Sequence, residues 1–139
     1  MNRRQFISSA AGVAAALGIP TSLLAGGAHT LDYTPGLLTE KLAAGETVLV
    51  DFAADWCSTC KRQERVISEL REANPSFDEA ITFVRVDWDK YGSADVATSR
   101  NIPRRSTLLL LRGDEELGRI IAGTSAEEIK SLLELGLTA

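Results

Sequence analysis

The chain has 139 residues, 45% of them hydrophobic and 24% charged, which fits one folded domain and excludes a disordered or fibrous chain. Its net charge is −4, and its basic residues are dispersed apart from short pairs such as Lys61-Arg62 and Arg104-Arg105, which argues against a nucleic-acid partner. Two cysteines exclude a disulfide framework, so an apolar core has to hold the fold.

In chain order the first segment differs from the rest. After Arg3-Arg4 no charged residue appears until Asp32, and the run between is rich in Ala, Gly and Ser. A positive start, a mildly apolar middle and a small-residue end form an export-signal pattern. Arg3-Arg4-Gln5-Phe6-Ile7 resembles the twin-arginine signal of bacteria. Pro20 and Gly26-Gly27 cut the apolar stretch short of a membrane span. An uncleaved membrane anchor and a helix belonging to the domain are the alternatives. Cleavage after Ala25 or after Ala28 leaves a small residue at the site in either case. The expected organisation is a signal or anchor over 1–28 and a folded domain over 29–139. That places the domain in the periplasm, tethered if the signal stays on. In this oxidising compartment a dithiol has to be kept reduced by a dedicated partner or act as an oxidant.

The domain then alternates two kinds of segment. Pro35 to Ala44 has helical spacing at Leu37, Leu38 and Leu42 and stops at Gly45. Thr47 to Ala53 (TVLVDFA) is β-branched and apolar on both faces, the pattern of a buried central strand. Lys61 to Ala73 places Val66, Ile67, Leu70 and Ala73 on one helical face and ends before Asn74-Pro75. Ile81 to Trp88 predicts a second strand and Ser93 to Asn101 a short helix. Leu108 to Leu111 predicts a third strand, turned at Arg112-Gly113-Asp114-Glu115 into a fourth over Glu116 to Ala122. Ser125 with Glu128 forms a capping box for a last helix bearing Ile129, Leu132, Leu133 and Leu135. The order α-β-α-β-α-β-β-α predicts an α/β fold: a central mixed sheet flanked by helices, with a parallel βαβ unit followed by a hairpin.

Both cysteines, Cys57 and Cys60, lie two residues apart between the first predicted strand and the helix after it. This strand-to-helix WCSTC arrangement, the αβ order and the hairpin LLLLRGDEELGRIIAG resemble the thioredoxin family over nearly the whole domain. The finer pattern Ala54-Asp55-Trp56-Cys57-x-x-Cys60-Lys61, with Glu64 beyond, is similar to the periplasmic C-terminal domain of transmembrane thiol:disulfide interchange reductases.

The resemblance implies a thioredoxin-like fold and a protein disulfide oxidoreductase whose working group is the redox-active Cys57–Cys60 disulfide, with no further cofactor and no metal. Cys57, at a helix N-terminus, is the expected attacking thiolate, because free backbone N–H groups and the helix dipole stabilise its charge. Cys60, one turn inward, resolves the mixed disulfide. Asp51 matches the family's buried acid, with a pKa raised by desolvation, and exchanges a proton with Cys60. Glu64, one turn beyond Cys60, matches a glutamate that tunes the attacking cysteine; the alternative is a solvated charge near Lys61 or Arg65. Trp56 covers the pair and shapes the docking surface. Asp55 is expected on an exposed loop with no catalytic part; Arg85 either pairs with a carboxylate or faces solvent from an alternating strand, and solvent is favoured.

The family places a cis-proline opposite the cysteines, just before the third strand. Counting back from the Leu run puts Ser106 in that slot, with Thr107 following; counting forward from Asp89 puts Pro103 there. Ser106 is favoured, and the peptide bond before it is then expected to be trans. Pro103, Ser106 and Thr107 are thus candidate substrate-binding residues. The implied partners are client proteins with disulfides and a membrane interchange protein as electron donor, with the domain acting as a monomer. Reduction of client disulfides is the expected direction. The alternatives are a periplasmic disulfide oxidase, and a metal-binding or interaction module on the same fold; a structural Cys57–Cys60 bridge would close too short a loop to restrain much chain. A metal site is poorly supplied, since the chain has one histidine, His29, in the region of the signal.

Overall fold

The computed structural model describes residues 29–138, so the expectations for residues 1–28 lie outside the described residues. The described residues form β1 (Thr30–Asp32), α1 (Leu37–Ala43), β2 (Thr47–Ala53), α2 (Ser58–Ala73) and α3 (Ser76–Ala80), followed by β3 (Ile81–Asp87), α4 (Trp88–Tyr91) and α5 (Asp95–Thr98). The chain finishes with β4 (Thr107–Arg112), β5 (Glu115–Ile121) and α6 (Ala126–Leu135). The strands make one mixed sheet in the order β1-β3-β2-β4-β5. β3 pairs in parallel with β1 and β2; β4 pairs antiparallel with β2 and β5. This is the sheet flanked by helices that the resemblance implies.

The central position of β2 follows from its sequence, in which every residue is buried. Alternation sends Val48, Val50 and Phe52 into one core layer and Leu49 into the other. The Leu108–Leu111 run of β4 does the same, with Leu109 and Leu111 on the first face and Leu108 and Leu110 on the second. Each such side chain stabilises the fold by about 1.5–3 kcal/mol relative to exposure. Because β2 and β3 run parallel, the chain has to cross over between them, and α2 followed by α3 is that crossover. α2 ends at Asn74, whose extended backbone (φ −137°, ψ 93°) is the conformation favoured before a proline. α6 is capped by Ser125, whose hydroxyl accepts the Glu128 N–H at 3.3 Å. It lies close on β5: a Cβ on Gly118 would stand 2.9 Å from Leu132 Cδ1.

The structure differs from the sequence expectations in three places. β1 and α3 carry no clear pattern of their own. β1 is secured by Arg71, a buried arginine of α2 that donates to Thr30 Oγ1 at 2.9 Å and to the His29 carbonyl at 3.0 Å. The same guanidinium pairs with Asp78 at 2.6 Å and lies 3.8 Å over the Phe83 ring, so its charge is matched on every side. Trp88 starts a helix rather than ending β3, because Asp87 Oδ1 accepts the Asp89 N–H at 3.0 Å and caps it. The helix expected over Ser93 to Asn101 is present but shorter, as α5, and the short α4 precedes it, closed by the Gly92 N–H on the Trp88 carbonyl.

Candidate functional site

β2 delivers the chain to one edge of the sheet, and Ala54, Asp55 and Trp56 carry it into α2. Cys57 is the N-cap of that helix: its backbone is extended and its Sγ accepts the Cys60 N–H at 3.2 Å. Both cysteines are free, buried, and packed with Ala53, Ala54 and Trp88. The two thiols are displaced in opposite directions. Burial pushes Cys57 up, but the neighbouring Cys60 thiol, the Ser106 hydroxyl, the Cys60 backbone N–H and the nearby Arg105 guanidinium outweigh it and bring the thiol down to about 7. Burial and the neighbouring Cys57 hold Cys60 above the usual thiol value. Near neutral pH the arrangement therefore favours one thiolate beside one thiol.

Ser106 lies against the pair, with Oγ at 3.1 Å from Cys57 Sγ and 3.0 Å from Cys60 Sγ. Its backbone is left-handed (φ 64°) and tied down at several points. The Ser106 N–H donates to the Phe52 carbonyl at 2.7 Å, and its own carbonyl accepts the Ala122 N–H at 2.8 Å. That carbonyl also accepts from Gln63 Nε2 at 3.0 Å, and the same amide donates to the Gly123 carbonyl at 2.8 Å. Among the described residues there is no cis peptide bond. Of the two candidates for the slot opposite the cysteines, Ser106 faces them, while Pro103 is exposed on the loop before it. Thr107 is buried at the start of β4, its hydroxyl donating to the Arg104 carbonyl at 2.8 Å.

Gln63 was not singled out in the sequence, where it reads as one polar residue among many on α2. Its position three residues after Cys60, on the same face of the helix, is the signal that could have found it. It is fully buried and joins α2 to the Ser106 loop and the end of β5.

Asp51 is buried in β2, and its Oδ1 has no hydrogen-bond partner. Its carboxyl is raised well above the ordinary value by burial and by the Glu64 carboxylate, against the opposing pull of Arg85. It lines a cavity of about 240 Å³ together with Glu64, Arg85, Arg71, Thr30 and Ser68, among others. Arg85 corrects the expectation of a solvent-facing side chain. It is the register partner of Asp51 on the adjacent parallel strand and shares its face of the sheet, toward α2. There its Nε donates to Glu64 Oε1 at 3.0 Å, while Nη2 reaches Asp55 Oδ1 at 3.0 Å. Glu64 is therefore neither free in solvent nor paired with Lys61 or Arg65. Asp55 sits on the exposed loop as expected, but it is held by Arg85.

Trp56 is 59% exposed, so it borders the pair while leaving its ring open to a partner. Its Nε1 donates to Asp89 Oδ2 at 2.9 Å, and the Arg105 guanidinium lies 4.3 Å over its ring. Among the described residues, no group of three or more His, Cys, Asp or Glu is gathered so that it could hold a metal ion.

Comparison with known proteins agrees with this geometry. The thioredoxin family model matches residues 30–135. Mitochondrial thioredoxin-2 of Schizosaccharomyces pombe is 32% identical over 93 residues, covering 67% of this chain and 65% of that protein. Thioredoxin H2-1 of Oryza sativa is 36% identical over 86 residues, covering 62% of this chain and 57% of that protein. The chain thus spans less than two thirds of the length of these two relatives. Among solved structures, Trxlp from Edwardsiella tarda superposes with a TM-score of 0.67 at 32% identity, over 76% of this chain and 98% of that one. The helix-start dithiol, the mixed sheet and the family match over residues 30–135 agree, and the chain belongs to the thioredoxin family.

Proposed function

We propose that the protein is an exported thiol-disulfide oxidoreductase that reduces disulfides in client proteins, with Cys57 as attacking thiolate and Cys60 as resolving thiol. The observation that carries this reading is the dithiol at one helix start, where Cys57 caps α2 and its Sγ accepts the Cys60 N–H at 3.2 Å, with Cys57 displaced down to about 7 and Cys60 upward. The Cys57 thiolate attacks one sulfur of a client disulfide, forming a mixed disulfide and releasing the first client thiolate. Cys60 gives its proton to Asp51 and attacks the Cys57 sulfur. The Cys57–Cys60 disulfide forms, the second client thiolate leaves, and two electrons have passed to the client. Asp51 suits the proton step because its raised pKa brings it nearer the working pH, and its cavity leads to the partly exposed Glu64. Trp56, with the loop from Pro103 through Ser106 to Thr107, frames the face on which clients dock.

The mild depression of Cys57 supports the reducing direction. Thioredoxin's thiol lies at about 7, whereas a strong disulfide oxidant carries its thiol at about 3.5. The twin-arginine pattern at Arg3-Arg4 supports periplasmic export, and there the domain draws electrons from a membrane interchange protein, as the Trp56-to-Glu64 pattern suggests. Insulin reduction by wild type and Cys57→Ser tests the chemistry: loss of turnover in the variant is expected, and equal activity ends the enzyme reading. A reduction potential near about −270 mV is expected, while one near about −120 mV reverses the direction to oxidation. Replacing Arg3 and Arg4 by lysine is expected to abolish export; a periplasmic variant ends the twin-arginine reading.

A further inference from the structure

The family's slot opposite the cysteines normally holds a ring without a donor; here it holds a hydroxyl within hydrogen-bond distance of both sulfurs. Among the described residues, no other side-chain oxygen hydrogen-bonds to either sulfur. A serine hydroxyl has one hydrogen to donate and lone pairs to accept with. When Cys57 is the thiolate and Cys60 the thiol, only one pattern serves both contacts. The Ser106 O–H points at Cys57 Sγ, and the Cys60 S–H points at Ser106 Oγ. We propose that Ser106 is a catalytic residue whose hydroxyl donates to the Cys57 thiolate, making that sulfur the resting nucleophile. This inference rests on the assignment of Cys57 as the attacking group.

The backbone supports the role independently of the sulfurs. Ser106 adopts a left-handed conformation that a residue with a side chain occupies only at a cost, and such strain persists where surrounding contacts hold it. The Phe52 carbonyl, the Ala122 N–H and the Gln63 amide supply those contacts from three different parts of the fold. Together they fix the position from which Oγ meets both sulfurs. A hydrogen bond to a charged acceptor is stronger than one between neutral groups, so its loss falls mainly on the thiolate. Consistent with this, Ser106 is among the groups that draw Cys57 down; it draws Cys60 the same way, but there burial and the neighbouring Cys57 outweigh it.

The test follows the pH profile of alkylation by iodoacetamide, with the modified cysteine located by mass spectrometry. It compares wild type with Ser106→Ala and with Ser106→Gly, which tolerates the left-handed backbone if alanine does not fold. Removal of the hydroxyl is expected to move the alkylation profile to higher pH and to lower the rate at pH 6 on the order of tenfold. Destabilising the thiolate also destabilises the reduced form, so the reduction potential is expected to fall, by about 30 mV for a tenfold change in the equilibrium. Alkylation at Cys57 with an unshifted profile in both variants overturns the role of Ser106 and leaves the oxidoreductase reading intact. Alkylation at Cys60 in wild type overturns the assignment of Cys57, and the Ser106 proposal falls with it.

Discussion

The two faces of the sheet are built from the same strands and do different work. On one face Val48, Val50 and Phe52 of β2 meet Leu109 and Leu111 of β4 and Val84 and Val86 of β3 in an apolar layer. On the other, Leu49, Phe83, Leu108 and Leu110 make an equally apolar layer, but toward the cysteine end Asp51, Arg85 and Glu64 interrupt it around a cavity. One residue of alternation separates Val50 from Asp51. The difference teaches that this fold keeps its ionisable machinery at the edge of one layer and leaves the other to supply stability.

The comparison breaks first, and most visibly, at the apolar face. Leu109→Ala is expected to cost about 2–5 kcal/mol of unfolding free energy in a urea titration, the range for large-to-small changes in a packed core. Its side chain lies on the face away from Asp51, so the pH profile of Cys57 alkylation is expected to stay in place. A loss below about 1 kcal/mol, or a displaced profile, would show that the two faces are not separable in this way.

The polar face predicts a different response, in which stability depends on pH. Asp51 has a folded pKa above its ordinary value of 3.8, with burial as the main cause. Below the ordinary value both folded and unfolded carboxyls are protonated and the group is neutral toward folding. Above it the unfolded chain releases a proton that the folded one keeps, so stability falls as pH rises toward the folded pKa. The fall is about 1.4 kcal/mol for each pH unit while the difference in protonation is complete. Asp51→Asn is expected to remove this slope above the ordinary value of 3.8, and so to gain on wild type as pH rises. Parallel stability curves for the two proteins would mean that Asp51 ionises in the folded state as freely as in water.

The apolar face was legible in the sequence because burial leaves a pattern. The TVLVDFA run gives β2 to the residue, and the hydrophobic strand beside a Gly turn gives the β4–β5 hairpin. Cys57 and Cys60 were legible for the same local reason, since their spacing and position at a strand-to-helix junction are written within a few residues. What escaped is written across distance. Arg85 reads as a lone charge in a strand until β3 is laid beside β2 and α2 is folded over both, which brings Glu64 to it from 21 residues away. Gln63 and Arg71 reach partners 43 and 41 residues away, and β1 exists in part because Arg71 holds it. Ser106 lies between these cases. Its place in the chain was readable from the Leu run, but its contact with both sulfurs depends on three elements meeting.

The smallest expected effect tests whether the polar cluster acts as one unit. Arg85 is the cation that pulls Asp51 down, and Glu64 is the neighbouring anion that pushes it up. Arg85→Met is therefore expected to raise the Asp51 pKa further, and Glu64→Gln to lower it, as read from the carbon-13 shift of the Asp51 carboxyl during titration. Glu64 and Arg85 are both partly exposed, so losing their ion pair is expected to change stability by only about 0.2–1 kcal/mol. A fold defect would displace Asp51 in the same direction in both variants, whereas electrostatic control requires opposite signs. If both substitutions move Asp51 the same way, the cluster is a set of packing contacts around a buried acid. If the signs oppose while stability barely changes, Arg85 and Glu64 tune the Asp51 proton without carrying the fold, and the division of labour between the two faces extends to single side chains.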